Sequence, residues 1–295
     1  MRQYIDNGVA NLKGFLTKKG RLIVLLSAIW MMTLIVGCST QKESIETGNS
    51  IETAGTSTSE AKTTLTIMAA ASLTEMFTEV ESFYESKHSN VDLVFSFAGS
   101  QSLATQISEG IAADVFASAN TNYMTNLIDE GLVDGADVSI FAKNKLALIV
   151  NTNVTSIETY ADLAKGDYKI VVADETVPVG RYTLTFLEQV EANLPGFTQA
   201  FNGQIVSRET NVKLVASKVE LGEADCGIVY LTDLTSSNQD LLKIVEIPDD
   251  LNVIASYPIA KIKNSVNAAL SQEFVDFILS DQGKAVLGDF GFTVE

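Results

Sequence analysis

A chain of 295 residues, 46% hydrophobic and 8% aromatic, can bury a sizeable core, and its 20 basic against 37 acidic side chains give a net charge of −17. The first 37 residues hold five basic groups and one acid, so the rest of the chain stands at −21. That balance excludes nucleic acid as a partner, because phosphate backbones are held by clustered Lys and Arg. It leaves room for a local anion site, since a few oriented backbone dipoles can hold an anion inside an acidic protein.

Residues 1–37 read as an export signal. Lys13, Lys18, Lys19 and Arg21 flank Leu22 to Gly37, an almost wholly apolar run of 16 residues, short of the roughly 20 that a membrane span needs. The run ends Ile35-Val36-Gly37-Cys38. This ending resembles the lipobox of bacterial lipoproteins, which implies cleavage before Cys38, lipidation of that cysteine, and an extracytoplasmic protein anchored to the cell membrane. Residues 38–62 are rich in Ser, Thr and Glu and lack a hydrophobic period, so they are expected to form a flexible tether. With Cys38 lipidated, Cys226 in the apolar run CGIVYL is the one remaining thiol; no internal disulfide is possible and a packing role is expected.

From Thr63 the chain alternates strands and helices. IMAAASLTEMF (67–77) begins as a buried strand and continues as a helix whose inner stripe is Leu73, Met76, Phe77, Val80, Phe83 and Tyr84; Ser72 with Glu75 forms an S-x-x-E capping box at its start. VDLVFSFAGS (91–100) is a strand. A short helix with Leu103 and Ile107 inward, the strand DVFASA, and a helix through Tyr123, Leu127 and Ile128 follow. KLALIVNT (145–152) is a longer strand, after which the alternation starts afresh with YKIVVAD, a VPVG turn, a helix from Arg181, QIVSRET, a helix from Val212, and DCGIVYLTD. NVIASYPIAKI (252–262) then carries the chain back, leaving the helix of Ala269, Phe274, Phe277 and Ile278 and the tail AVLGDFGF for the first lobe.

This is the pattern of an α/β protein with two lobes, each a mostly parallel sheet flanked by helices. The expected organisation is residues 63–146 for the first part of lobe 1, 147–254 for lobe 2, and 255–295 for the return to lobe 1. The two crossings, near Leu148 and Ala255, form a hinge. In open parallel sheets ligands sit beyond the carboxyl ends of the strands, where helices begin. Four junctions have that look: AAAS at Ser72, FAGS at Ser100, VPVG around Val179, and RETN leading into Val212. Tyr230 ends the strand GIVY, where its ring can pack while its hydroxyl reaches a cleft.

The motifs AAASL, FAGSQSL followed by ADVFASA, VPVGRY, NVKLVASKVELGEADCGIVY and the closing DFGF resemble, in order and over nearly all of residues 65–295, the extracytoplasmic molybdate-binding proteins of ABC transporters. The resemblance implies a type II periplasmic-binding-protein fold, a tetrahedral oxyanion (molybdate, with tungstate) in the interlobe cleft, and delivery to the permease subunits of an importer. It implies a monomer, no cofactor, no cation site and no catalysis. Carried over by motif, the ligand contacts are the hydroxyls and N–H groups of Ser72 and Ser100, the N–H groups of Val179 and Val212, and the Tyr230 hydroxyl. Valine stands at 179 where the family often has alanine, which keeps the backbone donor and narrows the pocket. Arg181 is expected to be a solvated residue of a first helical turn.

Two alternatives are a receptor for another small oxyanion such as sulfate or thiosulfate, and a hydrolase using Ser72 or Ser100 as nucleophile. A nucleophilic serine needs a base within hydrogen-bond reach. The one histidine, His88, lies about 15 helical residues from Ser72, or roughly 20 Å at 1.5 Å per residue.

Overall fold

The computed structural model describes residues 62–294; the expected export signal, Cys38 and the tether as far as residue 61 lie outside the described residues. The elements in chain order are β1 (Thr63–Ala70), α1 (Thr74–Lys87), β2 (Val91–Ala98), α2 (Ser100–Ser108), β3 (Val115–Ala117), α3 (Thr121–Asp129) and the long β4 (Ser139–Asn151). They continue with β5 (Ile170–Ala173), α4 (Pro178–Asn193), α5 (Phe197–Gly203), β6 (Ile205–Glu209), α6 (Val212–Glu220), β7 (Cys226–Tyr230), β8 (Leu242–Val245), β9 (Ile254–Lys261), α7 (Ala268–Leu279) and α8 (Asp281–Asp289).

The strands follow the order β2-β1-β3-β9-β4-β7-β5-β6, with β8 on β4. β1 runs parallel to β2 and β3, and β5 runs parallel to β6 and β7. Each lobe therefore has a parallel centre whose strands end on the same side. The antiparallel strands join the lobes: β4 pairs with β9 over Ser139–Lys145 and with β7 over Leu146–Val150, so one 13-residue strand belongs to both sheets. The second crossing lies just before β9, which begins at Ile254.

Burial explains the alternation. In β1, Leu65, Ile67 and Ala69 face a core shared with Phe77 and Val80 of α1 and Phe274 and Ile278 of α7, while Met68 faces the opposite layer with Leu103 of α2 and Leu127 of α3. Completely burying a side chain of this size contributes about 1.5 to 3 kcal/mol. All four residues of β5, IVVA, are buried, as expected of a central strand covered on both faces. Two short helices and one strand lie outside the sequence expectation: α5 and β8 are only 7 and 4 residues long, too short for a clear hydrophobic period, and α8 buries only Gly283 and Leu287, so it carries no apolar stripe.

One expected detail is overturned. Ser72 and Glu75 do not form a capping box: Ala71–Leu73 is a short 3-10 turn, α1 starts at Thr74 with Leu73 as its N-cap, and no side chain caps it. The Ser72 hydroxyl instead meets the Tyr257 hydroxyl at 3.1 Å, and Glu75 pairs with Lys213. Tertiary partners outcompete the local pattern.

Cys226 lies opposite Val150 of β4 and beside Ile170 of β5, wholly buried. Burial, and secondarily the charge of Asp225, push its thiol up to about 12. Because thiolate is the reactive species, iodoacetamide at pH 8 should leave Cys226 unmodified in the native protein and alkylate it fully after denaturation, as read by peptide mass spectrometry. Rapid native alkylation would contradict this packing.

Candidate functional site

Ser72, Ser100, Val179, Val212 and Tyr230, scattered over 159 positions of sequence, line one cavity. The space not filled by atoms is about 200 Å³, part of it open to solvent. Ala70, Ala71, Ala98, Gly99, Ala119 and Pro178 line the rest together with Val177 and Asn211, so no charged side chain among the described residues reaches the cavity wall.

Three of the donors are placed by the starts of α-helices. Ser100 is the first residue of α2, Val212 the first of α6, and Val179 the second of α4, directly after Pro178. N–H groups in a helical first turn have no carbonyl four residues back, and the helix dipole adds positive potential at the same end. Proline at the first position of α4 sacrifices no helical bond and pre-sets the chain direction. Asn211 caps α6 by accepting from the Leu214 N–H at 3.1 Å, which leaves the Val212 N–H uncommitted. Gly180 lets α4 sit close against the end of β5: a Cβ there would lie 2.0 Å from the Asp174 carbonyl oxygen.

The hydroxyls are oriented too. Ser100 Oγ accepts from the Ala119 N–H at 3.0 Å, which occupies a lone pair and leaves its O–H free to donate. Ser72 Oγ is held by Tyr257. The Tyr230 hydroxyl is buried against the cavity and has no hydrogen-bond partner among the described residues. Burial first, then the neighbouring Tyr257, Tyr182 and Asp233, raise its pKa well above the usual tyrosine value, so the group keeps its proton. The Tyr257 and Tyr230 rings meet edge-on at 5.9 Å, but the geometry of their hydroxyls is not that of a bond.

Carbonyls nearby are already engaged. Thr210 O accepts from Gln101 Nε2 at 2.8 Å, Ala119 O from the Tyr182 hydroxyl at 3.4 Å, and Val179 O from Thr183 Oγ1 at 2.8 Å. The cavity wall is thus rich in donors and carries no carboxylate among the described residues. Two of these bonds span the two lobes, as does the one from the Tyr123 hydroxyl to Thr176 O. The cleft is closed.

Tyr257, Ala119 and Asn211 are the residues that sequence reasoning did not single out. Asn211 had a local signal, an N-cap residue before a helical run; Tyr257 had none, since it reaches Ser72 from 185 residues away. Arg181 is exposed on α4, as expected. His88 caps the far end of α1, stacked on Tyr84 at 4.1 Å and 3.4 Å from Glu273. Among the described residues the two serine hydroxyls bond to Tyr257 and the Ala119 N–H, and neither meets a histidine, lysine or carboxylate.

A closed cleft between two α/β lobes, with buried neutral donors from both, is the arrangement of a solute-binding protein. The sequence comparisons agree: residues 65–293 match the family model of bacterial extracellular solute-binding proteins, and the chain belongs to that family. It is similar to the molybdate-binding protein ModA of Mycobacterium tuberculosis, with 33% identity over 77% of this chain and 84% of that protein. It is also similar to the putative ABC transporter substrate-binding lipoprotein YvgL of Bacillus subtilis, with 29% identity over 92% of this chain and 98% of that one. Among solved structures, the substrate-binding domain of a putative molybdenum ABC transporter from Clostridium difficile superposes with a TM-score of 0.60 at 31% identity, over 79% of this chain and 99% of that one.

Gly99 tests the closed geometry. It has ordinary extended dihedrals, φ −62 and ψ 137, so alanine costs no backbone strain. Its Cβ, however, would lie 2.5 Å from the Thr210 carbonyl oxygen of the opposite lobe. Gly99→Ala should fold with a melting temperature close to wild type yet hold the lobes apart, giving a larger radius of gyration by small-angle scattering. An unchanged radius would show that the cleft closes differently.

Proposed function

We propose that this protein captures molybdate, and with it tungstate, and delivers it to the permease of an ABC importer. The observation that carries the reading is the donor set of Ser72, Ser100, Val179, Val212 and Tyr230 around one small cavity without a charged side chain. Molybdate and tungstate are fully deprotonated dianions near neutral pH and can only accept hydrogen bonds. A pocket of N–H and O–H groups satisfies them. Hydrogen phosphate brings a proton that needs an acceptor, and leaving it unpaired costs about 1 to 3 kcal/mol. Sulfate is also acceptor-only but smaller, so donors set at the longer Mo–O radius meet it with stretched bonds, and selectivity arises as a difference of affinities. The relative from Mycobacterium tuberculosis is named for molybdate, which supports this choice of oxyanion.

Calorimetric titration with molybdate, tungstate, sulfate and phosphate tests the reading. Molybdate and tungstate should bind, sulfate much more weakly and phosphate not at all; preference for sulfate would replace this assignment with a sulfate receptor. Ser72→Ala, Ser100→Ala and Tyr230→Phe each remove a donor to a charged ligand, a loss of about 1.5 to 3 kcal/mol, or roughly 10-fold to 150-fold in Kd. Val179→Ala, which keeps its N–H, should bind like wild type. A fully competent Tyr230→Phe variant would remove that hydroxyl from the ligand shell.

The reading extends to location and partners. The protein acts as a monomer tethered to the outer face of the cell membrane through lipidated Cys38, a placement supported by the Ile35-Val36-Gly37-Cys38 sequence and by the lipoprotein in the name of the relative from Bacillus subtilis. Mass spectrometry of membrane extracts should find a diacylglyceryl-modified Cys38 at the mature N-terminus. Membrane retention undiminished in Cys38→Ser would count against the anchor.

A further inference from the structure

We infer that Lys213 is a positioning residue that latches the two lobes shut, through an ion network with Glu75 of one lobe and Asp233 of the other. Lys213 Nζ lies 2.8 Å from Glu75 Oε2 and 2.9 Å from Asp233 Oδ1. The inference rests on the cleft being an anion site and does not depend on which oxyanion fills it.

The three residues sit directly behind three of the ligand-contact elements. Glu75 lies in the first turn of α1, three residues after Ser72; Lys213 follows Val212 in α6; Asp233 ends the 3-10 turn that leaves Tyr230. α6 also packs against the Ala71–Leu73 turn of the opposite lobe. Asp233 Oδ2 accepts from the Tyr230 N–H at 3.0 Å, so its carboxylate fixes the backbone of the tyrosine whose hydroxyl faces the cavity. Its side chain is fully buried, whereas those of Lys213 and Glu75 are 26% and 39% exposed.

This gradient of burial divides the labour. The Lys213–Asp233 pair lies within one lobe and persists whether the cleft is open or closed, because a buried carboxylate deprived of its cation is strongly destabilised. The Lys213–Glu75 contact crosses the cleft and exists only when the lobes meet. Closing therefore adds a second carboxylate to an ammonium already in place, and in the same movement brings Ser72 toward Val212 and Tyr230. Burial opposes the charge on Lys213, but Asp233 and Glu75 together raise its pKa, so the lysine remains cationic. An interaction made in the closed state alone biases the open–closed equilibrium by its own differential strength, and in a binding protein that bias appears as slower release.

Glu75→Gln in the full-length protein in detergent is the decisive variant, because it spares the buried pair and its site is partly exposed. Release of molybdate should become about 3-fold to 10-fold faster, on the scale expected of a half-exposed charge pair, with association not slowed. Hydrogen exchange without added oxyanion should quicken in segments 98–103 and 177–182, which contain none of the three residues. In a Lys213→Met background, if it folds, Glu75→Gln should have no further effect. Unchanged exchange overturns the latch, including the case in which release alone quickens, since Glu75 would then act on the ligand by charge and not on closure. If wild type binds none of the four oxyanions, the anion reading fails, and the exchange measurement still decides whether Glu75 holds the lobes together.

Discussion

An N–H group in the first turn of a helix has no carbonyl to bond within its own helix, and the molecule is organised around where those groups are sent. The parallel strands β1, β2 and β5 deliver Ser72, Ser100 and Val179 to one end of their sheets, and β6 delivers Val212 to the same end of the second lobe. Burying such donors without acceptors would be costly. Concentrating them around a small cavity makes an acceptor-rich guest the natural partner, and the surrounding alanines and glycine leave space for it to reach the backbone.

Bringing donors from two lobes to one guest requires a joint, and β4 provides it by changing partners between Lys145 and Leu146. The C-terminal residues reinforce this joint. Thr293 bridges to Lys143 of β4, and Phe292 packs edge-on against Tyr257 at 5.5 Å, whose hydroxyl in turn holds Ser72. Tyr182, Tyr230, Tyr257 and Phe292 thus form a continuous aromatic contact from α4 of the second lobe to the end of the first. The joint and the pocket share side chains, so movement at one is felt at the other.

Much of this was legible in the sequence because it is written in local periods. The buried runs TIMAA, IVVA and CGIVY have the composition of strands covered on both faces, and the small or turn-forming residues at their ends mark helix starts. The five candidate contacts could be drawn from those junctions and from the resemblance of their motifs. What was not legible depends on distance. The S-x-x-E pattern at Ser72 promised a local cap, but Tyr257 and Lys213 took its two members, from 185 and 138 positions away. No window of sequence contains both ends of such a contact. Likewise β4 was expected to begin near Lys145 because Ser139–Asn144 lacks a continuous apolar run; β9 supplies its pairing there instead.

The neutrality of the cavity wall has one more consequence. Backbone amides and serine hydroxyls do not titrate in water's ordinary range, and burial raises the pKa of Tyr230 and Tyr257 further out of it. None of the described residues that line the cavity has a proton to gain or lose between mild acid and mild alkali. A protein of an extracellular family meets a medium whose acidity its cell does not set, and this one has placed its ionisable side chains behind the site, leaving at the wall only donors indifferent to that medium.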